Sequence, residues 1–549
     1  MNAEVVVEVG GAASLSMRQI EAVAHRRAQV RVSGAARKRV QAMREAAETA
    51  TASSEETVYG LNTGFGSNFR DRVTDLTSLQ RNLIRSHCTG VGPLAPAEVV
   101  RATMLMRAAS LARGCSIVRP EVIDKLVELL NKDIVPAVPR FGSVSASGDL
   151  APLSHIAAVL MGEGRVMVDG AAMPTGDFLS KAEARGAPAF EPIVLQMKEG
   201  LALNNGCQYA NAWTALAASK MQRLIEAAAL TTALSVQATR GMGRPFRADL
   251  HALRPHPGAQ TVARWVYALL EDYSFQDIPG REKAAYDGRI QDPYNLRCAA
   301  QILGPCLDLI QRAQTTVEIE ANSVTDNPID LNTAPENYDP DLITSGGHFH
   351  GMPLAVEAYG LLQAAGIMAR LTNMRCARIV DKNRNSGLGP QVRGAAPEDE
   401  AGKNAYAIRS GLMILEYTTA GLCNQIWGLA SPSHLMSLST DSGQEDHVSM
   451  AANVAIRADE AADRLAEALA IEMAFALQAG EVRRREPNAW GDKRAIEVGK
   501  YMQAALNKIE QEFSPVVEDR ELSWDVMKLA EAVLSGEIVD SVREAFARH

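Results

Sequence analysis

The stretch Ser143–His155, SVSASGDLAPLSH, sets three serines, a glycine and an aspartate directly before an apolar run. Short polar residues of this kind serve turns and helix caps. Pro152, with Leu153, Ile156, Ala157 and Leu160 at helical spacing, predicts a helix that starts just after them. The turn itself can also do chemistry. Gly148 has no Cβ, so its amide nitrogen can approach the carbonyl carbon of Ala146 more closely than any other residue permits. Ser147, between them, carries a hydroxyl that can leave as water. A turn of this sequence can cyclise on its own backbone and dehydrate, which yields an electrophilic methylidene-imidazolone ring with no external cofactor.

The rest of the chain must hold that turn. In ADRLAEALAIEMAFALQ, Leu465, Leu469, Met473 and Leu477 recur every four residues and lay one apolar stripe along a helix. AWTALAASKMQRLIEAAALTTALSVQA and LAVEAYGLLQAAGIMARLTNM have the same texture, whereas alternating patterns are short, as in EVVVEV and GRVMVDG. The expected fold is mainly α, a long-helix bundle with a mixed N-terminal lobe bearing minor strands. Boundaries are expected near 210 and 480. They divide the chain into an N-terminal lobe (1–210) with the Ala-Ser-Gly turn, a central bundle (211–480) and a C-terminal helical segment (481–549).

The 549 residues carry a formal charge of -9, with Lys and Arg scattered singly, which argues against nucleic acid or an anionic membrane as partner and favours a small molecule. Seven cysteines, an odd number without a Cys-x-x-Cys pair, read as free thiols in a reducing compartment. No basic stretch precedes an apolar one at the N-terminus, and no run of about 18 apolar residues is evident, so a cytoplasmic location is expected.

Beyond the turn, VYGLNTGFG, NLIRSHCTGVGPL, SASGDLAPLSHIA, KEGLALNNG, QDPYNLRCAAQILG, TDNP, GGHFHG and QEDHVSM occur in one order between Tyr59 and Ser449. In this the sequence resembles the aromatic amino acid ammonia-lyases and aminomutases, with motifs nearest the histidine ammonia-lyases. The resemblance implies an ammonia-lyase/fumarase-like helical fold and a methylidene-imidazolone (MIO) made from Ala146, Ser147 and Gly148. It also implies a homotetramer with shared active sites. Tyr59 then matches the base that takes the β-proton, and a phenol needs positive surroundings to lower its pKa for that task. Arg297 matches the arginine that takes both oxygens of the substrate carboxylate. Asn205 and Tyr294 match donors that bracket the ring and substrate. Gly66, Gln291, Asn327, Phe349 and Gln444 match further substrate-binding positions, and no metal is implied. His348 and His350 form a His-x-His without an evident third ligand.

Ser86 and His87 stand where the family reads the substrate side chain, and a histidine there suits an imidazole or a phenol better than a phenyl ring. QDPYNLRC, NGCQ and QEDHVSM look like the histidine enzymes. Against that, LCNQIWG places Asn424 where a glutamate is expected, His348 replaces an asparagine, and Gly443 replaces another before Gln444. The expectation is a lyase that converts L-histidine to urocanate and ammonia. Alternatives are a tyrosine ammonia-lyase, a tyrosine or phenylalanine 2,3-aminomutase, and a non-catalytic binding protein on the same fold.

Overall fold

Alanine-rich stretches with a periodic apolar stripe form helices whose small side chains let neighbouring axes approach closely. The computed structural model describes residues 5–52, 61, 63–64, 73–185, 189–394, 400–485 and 498–548. The stripe Leu465, Leu469, Met473 and Leu477 is buried along one helix, Ala451–Arg485. The other alanine-rich segments form Gln208–Ala238 and Met352–Val380, and Ala299–Ala321 is a further long helix.

Among the described residues the strands pair in four two-stranded sheets. Val6–Val9 runs parallel to Gln29–Val32. Val91–Leu94 pairs with Pro139–Phe141, Arg165–Val168 with Ala171–Pro174, and Ile329–Asp330 with Ile343–Thr344, all antiparallel. EVVVEV thus contains the strand Val6–Val9 and GRVMVDG the strand Arg165–Val168, and the mainly helical expectation with minor strands holds.

The chain forms two compact units that interleave in sequence. The first comprises Met1–Ser219, Ala313–Tyr359 and Pro432–Ile456 and holds every one of these strands. Its core helix Ala97–Leu111 is buried on almost every face, including Arg107. Its helix Leu150–Leu160 begins at the residue after Asp149, as Pro152 and the apolar spacing require.

The second unit comprises Lys220–Arg312, Gly360–Ser431 and Arg457–His549. Its interior holds an ion pair between Arg375 and Glu472, 2.5 Å from Nε to Oε1, with both side chains almost fully buried. Thr231 and Thr232 accept hydrogen bonds from the Arg375 guanidinium, and the Ser235 hydroxyl donates to Glu472 Oε1. Charges at this depth persist only when their hydrogen-bonding capacity is met.

No long apolar segment was expected, yet among the described residues the Met352–Val380 helix is long and apolar enough to cross a membrane. In that helix 61% of the most apolar window is buried inside the fold, so its composition serves the protein core.

The Arg375–Glu472 pair gives the first expected outcome. Glu472→Ala strands a buried guanidinium and should lower unfolding free energy by about 3–5 kcal/mol in chemical denaturation. The double replacement Arg375→Met with Glu472→Leu should cost much less.

Candidate active site

The Ala146-Ser147-Gly148 turn is built around the carboxylate of Asp149, which has no exposure to solvent. Ser143 Oγ and Ser145 Oγ donate to Asp149 Oδ1 at 2.6 and 2.8 Å, and the Ala210 amide donates to Oδ2 at 2.8 Å. Burial pushes the Asp149 carboxyl above its ordinary pKa, and these three donors pull it back. Two of the serines that prompted the capping interpretation therefore hold Asp149, whose own side chain caps the start of the Gln208–Ala238 helix.

Three other segments of the first unit fasten the turn. Ser449 Oγ and the Gly351 amide donate to the Ser145 carbonyl at 2.8 and 3.2 Å, and the Met450 amide donates to the Val144 carbonyl at 2.9 Å. The Ala452 amide donates to Ser145 Oγ at 3.1 Å. Ala146 is buried against Val448 and Met450. Gly148 sits at φ +77°, where a Cβ would lie 2.4 Å from both the nitrogen and the oxygen of Gly206. Only glycine fits there. The contact is closed by a hydrogen bond from the Asp149 amide to the Gly206 carbonyl, 2.7 Å.

Behind Gly206 lies the guanidinium of Arg107, which is 1% exposed and donates to Gln208 Oε1 at 3.0 Å and to the Ala202 carbonyl. A fully buried pair follows it, Lys198 Nζ to both oxygens of Asp326 at 2.9 and 2.8 Å. Burial pushes the pKa of both cations down, and the Asp326 charge opposes that shift in each.

Among the described residues, two side chains reach Ser147. Asn205 Nδ2 donates to the Ser147 carbonyl oxygen at 2.6 Å, while Asn205 Oδ1 is buried without a hydrogen-bond partner among the described residues. Ser147 Oγ donates to Glu445 Oε1 at 2.5 Å, and Thr440 Oγ1 donates to Glu445 Oε2 at 2.5 Å. Sequence reasoning passed over Glu445. It was visible in QEDHVSM, but nothing local distinguished its side chain from that of the exposed neighbour Gln444. A carboxylate therefore stands at the turn even though Asn424 replaces the expected glutamate elsewhere.

Other candidates in the first unit have defined settings. His87, at the end of the Leu76–His87 helix, is half-buried, and its Nδ1 lies 2.8 Å from the Leu83 carbonyl and 3.0 Å from Ser86 Oγ. A carbonyl only accepts, so Nδ1 carries the proton, and in the neutral ring the lone pair is on Nε2. Asn327 Oδ1 accepts from the Gly346 amide at 2.8 Å. Phe349 is half-buried two residues before Gly351. His350 Nε2 lies 3.0 Å from the His447 carbonyl, and among the described residues no cluster of three or more His, Cys, Asp or Glu side chains is arranged to hold a metal.

Gln291, Tyr294, Arg297 and Asn424 belong to the second unit. There the Arg297 guanidinium lies 4.7 Å from the centre of the Tyr294 ring, with Nε donating to the Asp292 carbonyl at 2.8 Å. Arg297 lines a cavity of about 750 Å³ together with Met242, Arg244, Arg247, Ile290 and Cys298. Tyr294 is 69% exposed, and Gln291 and Asn424 are exposed as well. Tyr59 and Gly66 lie outside the described residues.

A close-packed glycine turn braced by a buried carboxylate, with an amide on one carbonyl and a carboxylate on the serine hydroxyl, suits an enzyme that makes its electrophile from its own backbone. Comparison with known proteins agrees with that class. The family model for aromatic amino acid lyases matches residues 15–511. The histidine ammonia-lyase of Gloeobacter violaceus is 38% identical over 539 residues, 97% of each chain. Among solved structures, the tyrosine aminomutase of Streptomyces globisporus superposes with a TM-score of 0.87 at 28% identity over 99% of both chains. The histidine ammonia-lyase of Trypanosoma cruzi superposes with a TM-score of 0.83 at 28% identity, over 98% of this chain and 95% of that one. The chain belongs to the aromatic amino acid lyase family, and it is a carbon–nitrogen lyase.

Asp149→Ala leaves two buried hydroxyls and one buried amide without their acceptor. It should lower stability by at least about 2 kcal/mol in chemical denaturation, with Asp149→Asn less damaging because one acceptor oxygen remains.

Proposed function

We propose that this lyase converts L-histidine to urocanate and ammonia, using an MIO ring derived from Ala146, Ser147 and Gly148. The observation that carries this reading is the pair of contacts on Ser147, Asn205 Nδ2 on its carbonyl oxygen and Glu445 on its hydroxyl. The residues present fit the group: Gly148 has the conformation and close packing only glycine allows, and the Asn205 amide oxygen beside it has no hydrogen-bond partner among the described residues. When formed, the ring supplies the electrophile that makes the amino group a competent leaving group.

The chain's own residues supply the rest. Asn205 Nδ2 polarises the Ser147 carbonyl and stabilises negative charge that develops on it. The Arg297 guanidinium takes the substrate carboxylate, and Tyr294 packs against that guanidinium. His87 offers its Nε2 lone pair to an N–H of the substrate imidazole. Tyr59 is assigned the removal of the β-proton, and Glu445 the handling of a proton at the substrate amine. Gly66, Ser86, Gln291, Asn327, Phe349, Asn424 and Gln444 are assigned to substrate binding on their match to the family's motifs. As the Cα–N bond breaks, the electrons of the Cβ–H bond form the new double bond and ammonia departs.

Histidine is preferred because identity to histidine ammonia-lyases reaches 38% over nearly the whole chain and because His87 presents an acceptor. The strong superposition on tyrosine aminomutase keeps a second reading in view, a lyase or mutase acting on tyrosine. A cytoplasmic homotetramer accompanies the proposal. The Met413–Leu429 helix leaves Ile414, Tyr417 and Trp427 exposed, apolar surface that another subunit would cover.

A panel of histidine, tyrosine and phenylalanine, followed by product ultraviolet absorbance and by chromatography for β-amino acids, tests the assignment. Urocanate as the main product is the expected result, and p-coumarate or β-tyrosine overturns it. Intact mass of the wild type should fall short of the sequence mass by about 36 Da, two waters. Ser147→Ala should show no such deficit and no turnover while remaining folded. Glu445→Gln should reduce kcat by about a hundredfold or more, measured as urocanate release.

A further inference from the structure

His155 takes no part in the chemistry above, yet it joins two segments of the first unit that the site requires. It lies on the Leu150–Leu160 helix, which leaves the Ala-Ser-Gly turn, and its Nε2 accepts the Gly90 amide at 3.2 Å. Gly90 follows the Ser86–His87 pair by three residues, and the intervening turn is closed by the Thr89 amide on the His87 carbonyl, 2.8 Å. Gly90 is also wedged in place. A Cβ there would lie 3.2 Å from His155 Nε2, 3.2 Å from Pro139 Cβ and 3.3 Å from the Phe141 carbonyl oxygen. A Cβ on Gly142, the residue before Ser143, would lie 3.1 Å from Gly90 Cα. The segment from His87 to Gly90 therefore rests between the strand that enters the turn, Pro139–Phe141, and the helix that leaves it.

Within this wedge His155 supplies a directional bond, whereas the glycine contacts only exclude volume. Its nitrogen serves as acceptor only when the ring is neutral, and burial lowers its pKa in that direction.

We propose that His155 is a positioning residue that sets the recognition pair Ser86–His87 at a fixed distance from the ring-forming tripeptide by holding the Gly90 amide. The assignment rests on the reading of Ser86–His87 as the pair that meets the substrate side chain. Replacing the acceptor leaves Ala146, Ser147 and Gly148 with all their own partners, so it loosens side-chain recognition without touching ring formation.

The test compares His155→Leu, which removes the acceptor, with His155→Gln, whose terminal amide oxygen can occupy the place of Nε2. In His155→Leu, KM for histidine should rise about tenfold with kcat within about twofold of wild type. The two-water mass deficit should be unchanged, and His155→Gln should restore KM. Amide hydrogen exchange in the peptide spanning residues 86–91 should accelerate in His155→Leu and slow again in His155→Gln. An unchanged KM and exchange rate in His155→Leu overturns the proposal. So does a joint loss of kcat, mass deficit and thermal stability, which marks a general structural role. If the wild type fails to turn over histidine, the substrate reading falls, and the exchange measurement still decides whether His155 holds Gly90.

Discussion

The site depends on the contact between two backbones, Gly148 against Gly206, held by the hydrogen bond from the Asp149 amide to the Gly206 carbonyl. Neither segment can retreat. Behind Gly148 stand Asp149 with its three donors and the strap from Gly351 and Ser449 to Ser145. Behind Gly206 stands the buried guanidinium of Arg107, whose own position is set by Gln208 and the Ala202 carbonyl. A turn confined on both sides gives up its conformational freedom during folding, and that entropy is borne by the surrounding polar bonds and apolar burial.

Polar groups are consequently concentrated where a simple helical protein would be apolar. Asp149, Arg107, Lys198 and Asp326 are all fully or almost fully buried, and each finds partners of complementary type. Such networks are costly if incomplete, so they tie the geometry of the site to the completeness of the fold. The Arg375–Glu472 pair of the second unit follows the same rule, with two threonines and a serine meeting further valences.

Glu445 and Asn205 divide the serine between them. In the proposed ring formation, one reaches the hydroxyl that leaves and the other the carbonyl that stays conjugated with the new alkene. The same two side chains are thus suited both to the precursor turn and to the mature electrophile. In the proposed mechanism His87 adds selectivity through its neutral tautomer, in which the Leu83 carbonyl holds the proton on Nδ1 and Nε2 accepts.

Much of this was legible in the residues. Helical periodicity revealed the Gln208–Ala238, Met352–Val380 and Ala451–Arg485 helices, and Pro152 marked the start of the helix after the turn, because these signals are local. The Ala-Ser-Gly turn was readable for the same reason: the cyclisation proposed for it involves three consecutive residues. Glu445 was not distinguishable, since it meets Ser147 across 298 positions and nothing in QEDHVSM says which side chain turns inward. The burial of the apolar Met352–Val380 helix, the tie from His155 to Gly90 and the pairing of Lys198 with Asp326 likewise arise only when distant segments pack. Sequence by itself determined the elements and marked out the Ala-Ser-Gly tripeptide, because propensity and backbone chemistry act over a few residues. Only the tertiary structure decided which polar groups surround that tripeptide, because desolvation and hydrogen bonding depend on neighbours far away along the chain.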